Sequence, residues 1–205
     1  MIKLAGQLVP LKVDAEKEGA ELAKKYKVQG YPTILFIDSA GEVWGTIGGY
    51  LPPAPFAEAM AGVIETHKSY PAAVEALKKN PNDGKANASI ARVYASRGKL
   101  VEATAAVTKM EAAKYKGKDL AAIYNAVGDG YQTAEKFDDA IKYFKKGESA
   151  SQNAKDKSYS LVSLMFCYLG KGDQENANKT AKQLIALKDA TPEYVEYAKQ
   201  VVGGG

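Results

Sequence analysis

Apolar residues recur along the last two-thirds of the chain with the spacing of helices packed in pairs. Within Asp119–Gly147, Tyr124, Val127, Gly128 and Tyr131 sit three, four and seven apart, which is one face of a helix. After Ala134-Glu135-Lys136, a second such face is made by Ala140, Ile141 and Phe144. The same frame recurs on both sides: Tyr94, Tyr131 and Tyr168 each precede an alanine (Ala103, Ala140, Ala177) by nine residues and fall 37 residues apart. A fixed period of this size signals stacked supersecondary units. Upstream, Pro71–Lys79 reads as a short separate helix, stopped by Asn80-Pro81-Asn82-Asp83-Gly84. Downstream, Thr191-Pro192-Glu193 opens a last helix with a cap residue and a first-turn proline. Tyr194, Tyr197, Ala198 and Val201 form its apolar face, which predicts a helix covering the end of the array.

The first third has a different pattern. Leu8–Asp14 is short, apolar and bounded, and predicts a buried strand. Glu16–Tyr26 follows with helical spacing at Ala20, Leu22, Ala23 and Tyr26. Gly30-Tyr31-Pro32 is a turn, Thr33–Ile37 a continuous β-branched and aromatic strand, Asp38–Gly41 a hairpin turn, and Glu42–Ile47 the return strand. Pro52, Pro53 and Pro55 lead into a helix through Phe56, Met60, Val63 and Ile64. His67 lies at that helix's end, where histidine commonly acts as a C-terminal cap.

The order strand, helix, strand, hairpin strand, helix over about Ile2–Lys68 resembles the second half of a thioredoxin fold. Val13-Asp14, the helix exit Leu22–Val28, Gly30-Tyr31-Pro32-Thr33, Asp38–Gly41 and Gly48-Gly49-Tyr50 carry the resemblance. It implies that Tyr31, Pro32 and Thr33 form the family's cis-proline loop. It also implies that a strand bearing the catalytic CxxC would lie between Leu8–Val13 and Thr33–Ile37; no such motif is present, because Cys167 is the one cysteine. A dithiol needs two thiols, one with a depressed pKa.

The helical part, about Pro71–Lys188, resembles tetratricopeptide repeats (TPR). Ile90, Ala91, Tyr94, Gly98 and Ala103 carry the first unit. Tyr124, Val127, Gly128, Tyr131 and Ala140 carry the second; Leu161, Leu164, Tyr168, Gly172 and Ala177 carry the third. The third departs by placing Met165 at the small position, and the period exceeds the family's usual one by three residues. The combination is similar to bacterial proteins that join a thioredoxin-family domain to such repeats. The expected fold class is therefore an α+β truncated thioredoxin-like domain, residues 1–69, followed by an all-α TPR-like array, residues 70–202, with a C-terminal capping helix. In the repeat family the first helix of each unit faces a ligand groove. That implies peptide contacts from Lys85, Ser89 and Arg92, then Asn125, Asp129 and Gln132, then Tyr159 and Phe166. Ala88 and Ala126 occupy two positions of the family's clamp for C-terminal carboxylates, so that specificity is not expected.

Composition narrows the chemistry. The chain has 205 residues, 28 basic against 24 acidic, with Arg92 and Arg97 its two arginines. Lysine spread over helix faces serves solubility, and bidentate base or phosphate readout favours arginine, so no nucleic-acid partner is expected. No run is long and apolar enough for a membrane helix. Cys167, between Phe166 and Tyr168, reads as a small buried hydrophobe. No nucleophile elbow, phosphate loop or dinucleotide fingerprint occurs, and one histidine without a ligand cluster predicts no metal site. No catalytic residue and no cofactor are expected. The functional expectation is a non-catalytic protein- or peptide-binding adaptor. The alternative is a fragment of a thiol-disulfide oxidoreductase whose CxxC part is absent from this chain. Two further expectations are a homodimer through the thioredoxin-like part, where the missing strand leaves an open edge, and a cytoplasmic location, or a periplasmic one given an upstream signal peptide.

Overall fold

The computed structural model describes residues 2–28, 30–51 and 53–203. Its contacts divide the chain into two units, Met1–Ser69 and Tyr70–Gly205.

The first unit contains α1 (Ile2–Ala5), α2 (Ala20–Lys25), β1 (Thr33–Ile37), β2 (Val43–Gly48) and the start of α3 (Pro53–Lys79). β1 and β2 pair antiparallel, with Thr33 opposite Gly48 and Leu35 opposite Thr46, and an irregularity between Phe36 and Ile37. The turn between them is held by Asp38, whose Oδ1 accepts from the Ala40 and Glu42 amides at 2.9 and 3.0 Å. Phe36 and Ile47 project onto Met60 of α3, with Ile34, Val63 and Ile64 packed around them. The indole of buried Trp44 donates to Asp38 Oδ2 at 2.7 Å, and its ring meets His67 edge-on at 4.5 Å.

Four expectations for this region change. Leu8–Asp14 is no strand: Val9 is 96% and Leu11 79% exposed. A strand needs a neighbour to satisfy its backbone, Pro10 has no N–H to offer, and among the described residues the sheet consists of β1 and β2. The helix expected over Glu16–Tyr26 shortens to α2, because the Gly19 amide closes a turn on the Asp14 carbonyl at 2.8 Å and the Asp14 amide donates to Glu18 Oε1 at 3.1 Å. Pro52 lies outside the described residues. Pro71 does not start a separate helix but lies inside α3, so His67 is mid-helix rather than a cap. A proline there removes one i→i−4 bond. The helix continues because Ala73, Val74, Ala76 and Leu77 pack against the core of the second unit.

The second unit is helical: α4 (Gly84–Ser96), α5 (Leu100–Ala112), α6 (Leu120–Thr133), α7 (Phe137–Ala150), α8 (Ala154–Gly170), α9 (Gln174–Ala186) and α10 (Pro192–Gly203). Asp83, Asn153 and Asp173 cap α4, α8 and α9, their side chains accepting from the amides of Ala86, Asp156 and Asn176 respectively. The 37-residue period has a direct structural expression. The carbonyls of Tyr94, Tyr131 and Tyr168 each accept from the amide five residues on, Lys99, Lys136 and Asp173, at 2.8, 2.9 and 2.9 Å. This closes the helix with a left-handed residue at Gly98, Glu135 and Gly172 (φ 69°, 57° and 72°). Nine residues after each tyrosine, Ala103, Ala140 and Ala177 are fully buried where paired helices cross.

Glu135 thus occupies a conformation that its two counterparts reach as glycine. Glu135→Gly is expected to raise stability by about 1 kcal/mol, since a left-handed L-residue carries a steric penalty of that order. Urea unfolding followed by circular dichroism measures it, and a destabilised variant would show that the Glu135 side chain contributes more than its backbone strain.

Candidate functional site

The helices of the second unit form two layers. α4, α6, α8 and α10 lie side by side, and α5, α7 and α9 pack behind them. Because the neighbours in the first layer touch one another directly, it is the tighter of the two and is here termed the inner layer.

Near the middle of this layer Tyr159 of α8 donates its hydroxyl to Asp129 Oδ1 of α6 at 2.9 Å. Tyr194 of α10 meets the Tyr159 ring edge-on at 6.3 Å. Burial pushes the Asp129 carboxyl up from 3.8 to about 7, and the Tyr159 hydrogen bond pulls it back only in part. Burial likewise raises Tyr159 well above its ordinary range, assisted by the Asp129 charge, and raises Tyr194 for the same two reasons. Two turns along α8, Phe166 is 41% exposed and meets Tyr197 of α10, 47% exposed, edge-on at 6.0 Å. The inner layer therefore presents one desolvated carboxyl among tyrosines and, further along, a pair of open aromatic rings.

Of the residues expected in the groove, the structure brings Asp129 and Tyr159 into contact. Phe166 is exposed on the same face of α8, being seven residues from Tyr159. Gln132 and Arg92 are half-buried, Lys85 is exposed on the first turn of α4, and Ser89 bonds back to the Lys85 carbonyl at 3.2 Å. Asn125 lies deeper than the others. It is 5% exposed, and its Oδ1 accepts from Ser160 at 2.9 Å, so it ties α6 to α8 from within. A buried polar side chain is expected to have such a partner. Sequence reasoning places Tyr194 and Tyr197 on a covering face and misses them here. Their three-residue spacing is visible in the sequence; that α10 lies beside α8 is not.

A second polar cluster joins α5, α6 and α7. Glu111 Oε1 accepts from Tyr124 Oη at 2.9 Å and from Lys146 Nζ at 2.7 Å, and the Lys146 ammonium lies 5.6 Å from the centres of both the Tyr124 and Tyr143 rings. These groups satisfy one another at the edge of a shallow depression of about 430 Å³. The cluster reads as a tie between helices.

In the first unit the Tyr31–Pro32 peptide bond is cis, and the Pro32 carbonyl accepts from the Gly49 amide at 2.7 Å. Thr33 Oγ1 donates to the Gly30 carbonyl at 2.6 Å, and Tyr31 is 60% exposed. Cys167 belongs to the second unit, fully buried in α8, where burial first and the Asp129 charge second push its thiol up to about 12. Thiolate is the reactive form, so an aromatic disulfide reagent is expected to leave Cys167 unmodified in the folded chain and to label it on unfolding. Rapid labelling without denaturant would show that α8 opens. Among the described residues no three His, Cys, Asp or Glu side chains gather as metal ligands would, and no helix is long and apolar enough to cross a membrane.

Comparison with known families finds a thioredoxin-like domain at residues 3–64. It is followed by the helical region described above. No curated protein matches the chain in sequence.

Proposed function

We propose that this chain is a non-catalytic protein- or peptide-binding adaptor, with a TPR-like helical array as its binding part and a thioredoxin-like domain that carries no dithiol. The observation that supports it best is the inner layer itself. Exposed Phe166 and Tyr197 stand beside the Asp129–Tyr159–Tyr194 group, so anchoring area and a directional polar contact lie on one face. Aromatic anchors with a polar neighbour are the usual source of binding energy at such faces. The repeated tyrosine–alanine frame and the recurring left-handed turn favour the TPR-like reading.

Selection of a displayed random-peptide library on the full chain tests this. Enriched peptides are expected to bind at least tenfold more weakly to a Phe166→Ser/Tyr197→Ser variant, a change of about 1.4 kcal/mol or more. Both side chains are solvent-accessible, so the variant keeps its fold. Enriched peptides that bind wild type and variant alike would reject the inner layer.

The thioredoxin-like match at residues 3–64 favours a second reading, a portion of a thiol-disulfide oxidoreductase completed by residues outside this chain. Cys167 is the one cysteine and is fully buried, so the chain alone is expected to reduce insulin no faster than a Cys167→Ser control. The second reading predicts turnover only when a CxxC-bearing strand–helix segment is joined to or mixed with the chain, and no turnover in that mixture rejects it.

Self-association through the first unit is proposed with either reading. Val9 and Leu11 stand open to solvent, and among the described residues the sheet has two strands. Light scattering is expected to give a mass above 21.9 kDa that rises with concentration, and Val9→Asp/Leu11→Asp is expected to return it to the monomer value. A constant monomer mass rejects self-association.

A further inference from the structure

Asp129 is half-satisfied. One carboxyl oxygen accepts from Tyr159, and the other accepts no hydrogen bond from any described residue. The titratable groups that face it are Tyr159 and Cys167 from α8 and Tyr194 from α10, all neutral at neutral pH. α4, α5 and α7 also pack on α6 but bring no charge to bear on this carboxyl. A chain with 28 basic residues thus leaves one desolvated acid without a cation. Its second oxygen is not sealed off, since no buried side-chain oxygen among the described residues lacks a partner, so a cation can replace water there. Asp129 retains part of its surface, so a partner can reach it.

We propose that Asp129, Tyr159 and Tyr194 form the anchoring site for one cationic side chain, a lysine or arginine, of a peptide lying along the inner layer. This rests on the reading of that layer as a peptide-binding face. The free carboxyl oxygen takes a charge-assisted hydrogen bond, and the two tyrosine rings flank the cation with apolar, π-bearing surface. The rest of the ligand follows from the geometry. Phe166 lies seven residues beyond Tyr159, about 10 Å along the helix axis, which is the span of about three residues of extended peptide. The matching ligand carries a cation and, three positions away, an apolar side chain seated between Phe166 and Tyr197. One cation is enough: the chain's net charge of +4 opposes a polybasic segment.

A bound cation lowers the carboxyl pKa, so affinity depends on pH with a defined sign. Below about 7 the free site is protonated and must lose that proton to bind. Affinity therefore rises with pH up to about 7, by at most about tenfold per pH unit, and is flat above.

Two probes separate charge from shape: acetyl-Lys-Ala-Ala-Phe-amide and the same peptide with norleucine in place of lysine. Nuclear magnetic resonance of the full chain reads both the binding isotherm and the Asp129 carboxyl titration. The lysine probe is expected to bind about ten- to a hundredfold tighter at pH 8, to lose that advantage toward pH 5, and to move the Asp129 midpoint down. Asp129→Asn is expected to bind both probes alike and without pH dependence, and Tyr159→Phe to retain part of the preference. Equal binding of the two probes to wild type, a lysine preference that survives Asp129→Asn, or no binding of either probe overturns the cation site. None of those results decides the peptide-binding reading, which the library selection against the Phe166→Ser/Tyr197→Ser variant tests separately.

Discussion

Replacing Phe144 with alanine is expected to lower the stability of the helical unit by about 3–5 kcal/mol. Phe144 is fully buried on α7, among Ala140, Ile141, Leu164 and Cys167, so its ring joins α7 to α8. It also reaches α6. A methyl group built on Gly128 would lie 2.7 Å from Phe144 Cε1, closer than packed carbon atoms approach. The glycine is therefore the space into which the ring fits. Removing the ring takes away its transfer free energy and leaves a void bounded by three helices that cannot collapse freely. Against the 5–15 kcal/mol that stabilises a typical domain, this loss is a large fraction of the total. Urea denaturation followed by far-ultraviolet circular dichroism measures it.

The same contact predicts a coupling between the two positions. Gly128→Ala alone places a methyl group against the ring and is expected to destabilise, whereas in the Phe144→Ala background the methyl enters the space vacated. The two changes together should therefore cost less than their sum. Additive losses would mean that α6 and α7 relax independently and that this ring does not set their spacing. A Phe144→Ala loss below about 1 kcal/mol would mean that α7 is dispensable to the unit.

Phe144 and Gly128 are both legible in the sequence, because each belongs to a helix face repeated in register with the tyrosine–alanine frame. Period is information that a chain carries about itself. The segment Leu8–Asp14 misleads for the opposite reason. Its apolar content matches a strand, but a strand is defined by a neighbour, and the segment says nothing about whether one is present. Pro71 misleads because a proline's local penalty is visible and the packing of Ala73, Val74 and Leu77 that offsets it is not. Asn125 and Asp129 show the limit most clearly at the candidate site. They are four residues apart on one helix face and look equivalent in sequence. One is bonded internally to Ser160, 35 residues away, and the other keeps a free oxygen. Only the three-dimensional pairing of α6 with α8 distinguishes them.

That free oxygen gives the folded chain a stability that falls as pH rises, and Asp129→Asn is expected to abolish the fall. In the unfolded chain the carboxyl titrates near 3.8; in the folded chain it titrates at about 7. Between those values the folded state binds the proton and the unfolded state does not, so the fold is favoured at the acid end of the window. Raising the pH from 3.8 to about 7 removes that preference progressively, and above about 7 the full penalty of a desolvated carboxylate is present. The separation of the two values corresponds to at most about 4 kcal/mol, and the partial exposure of Asp129 lowers it toward about 2 kcal/mol. Asparagine keeps an oxygen that accepts from Tyr159 and carries no charge at any pH. The variant should therefore match wild type near pH 4 and exceed it above about pH 7, with the difference growing only inside the window. Urea unfolding of both proteins across that range reads the difference directly, and titrations common to the two proteins cancel in it. A difference independent of pH would show that Asp129 ionises normally, and that its oxygen is solvated rather than held in reserve among the tyrosines.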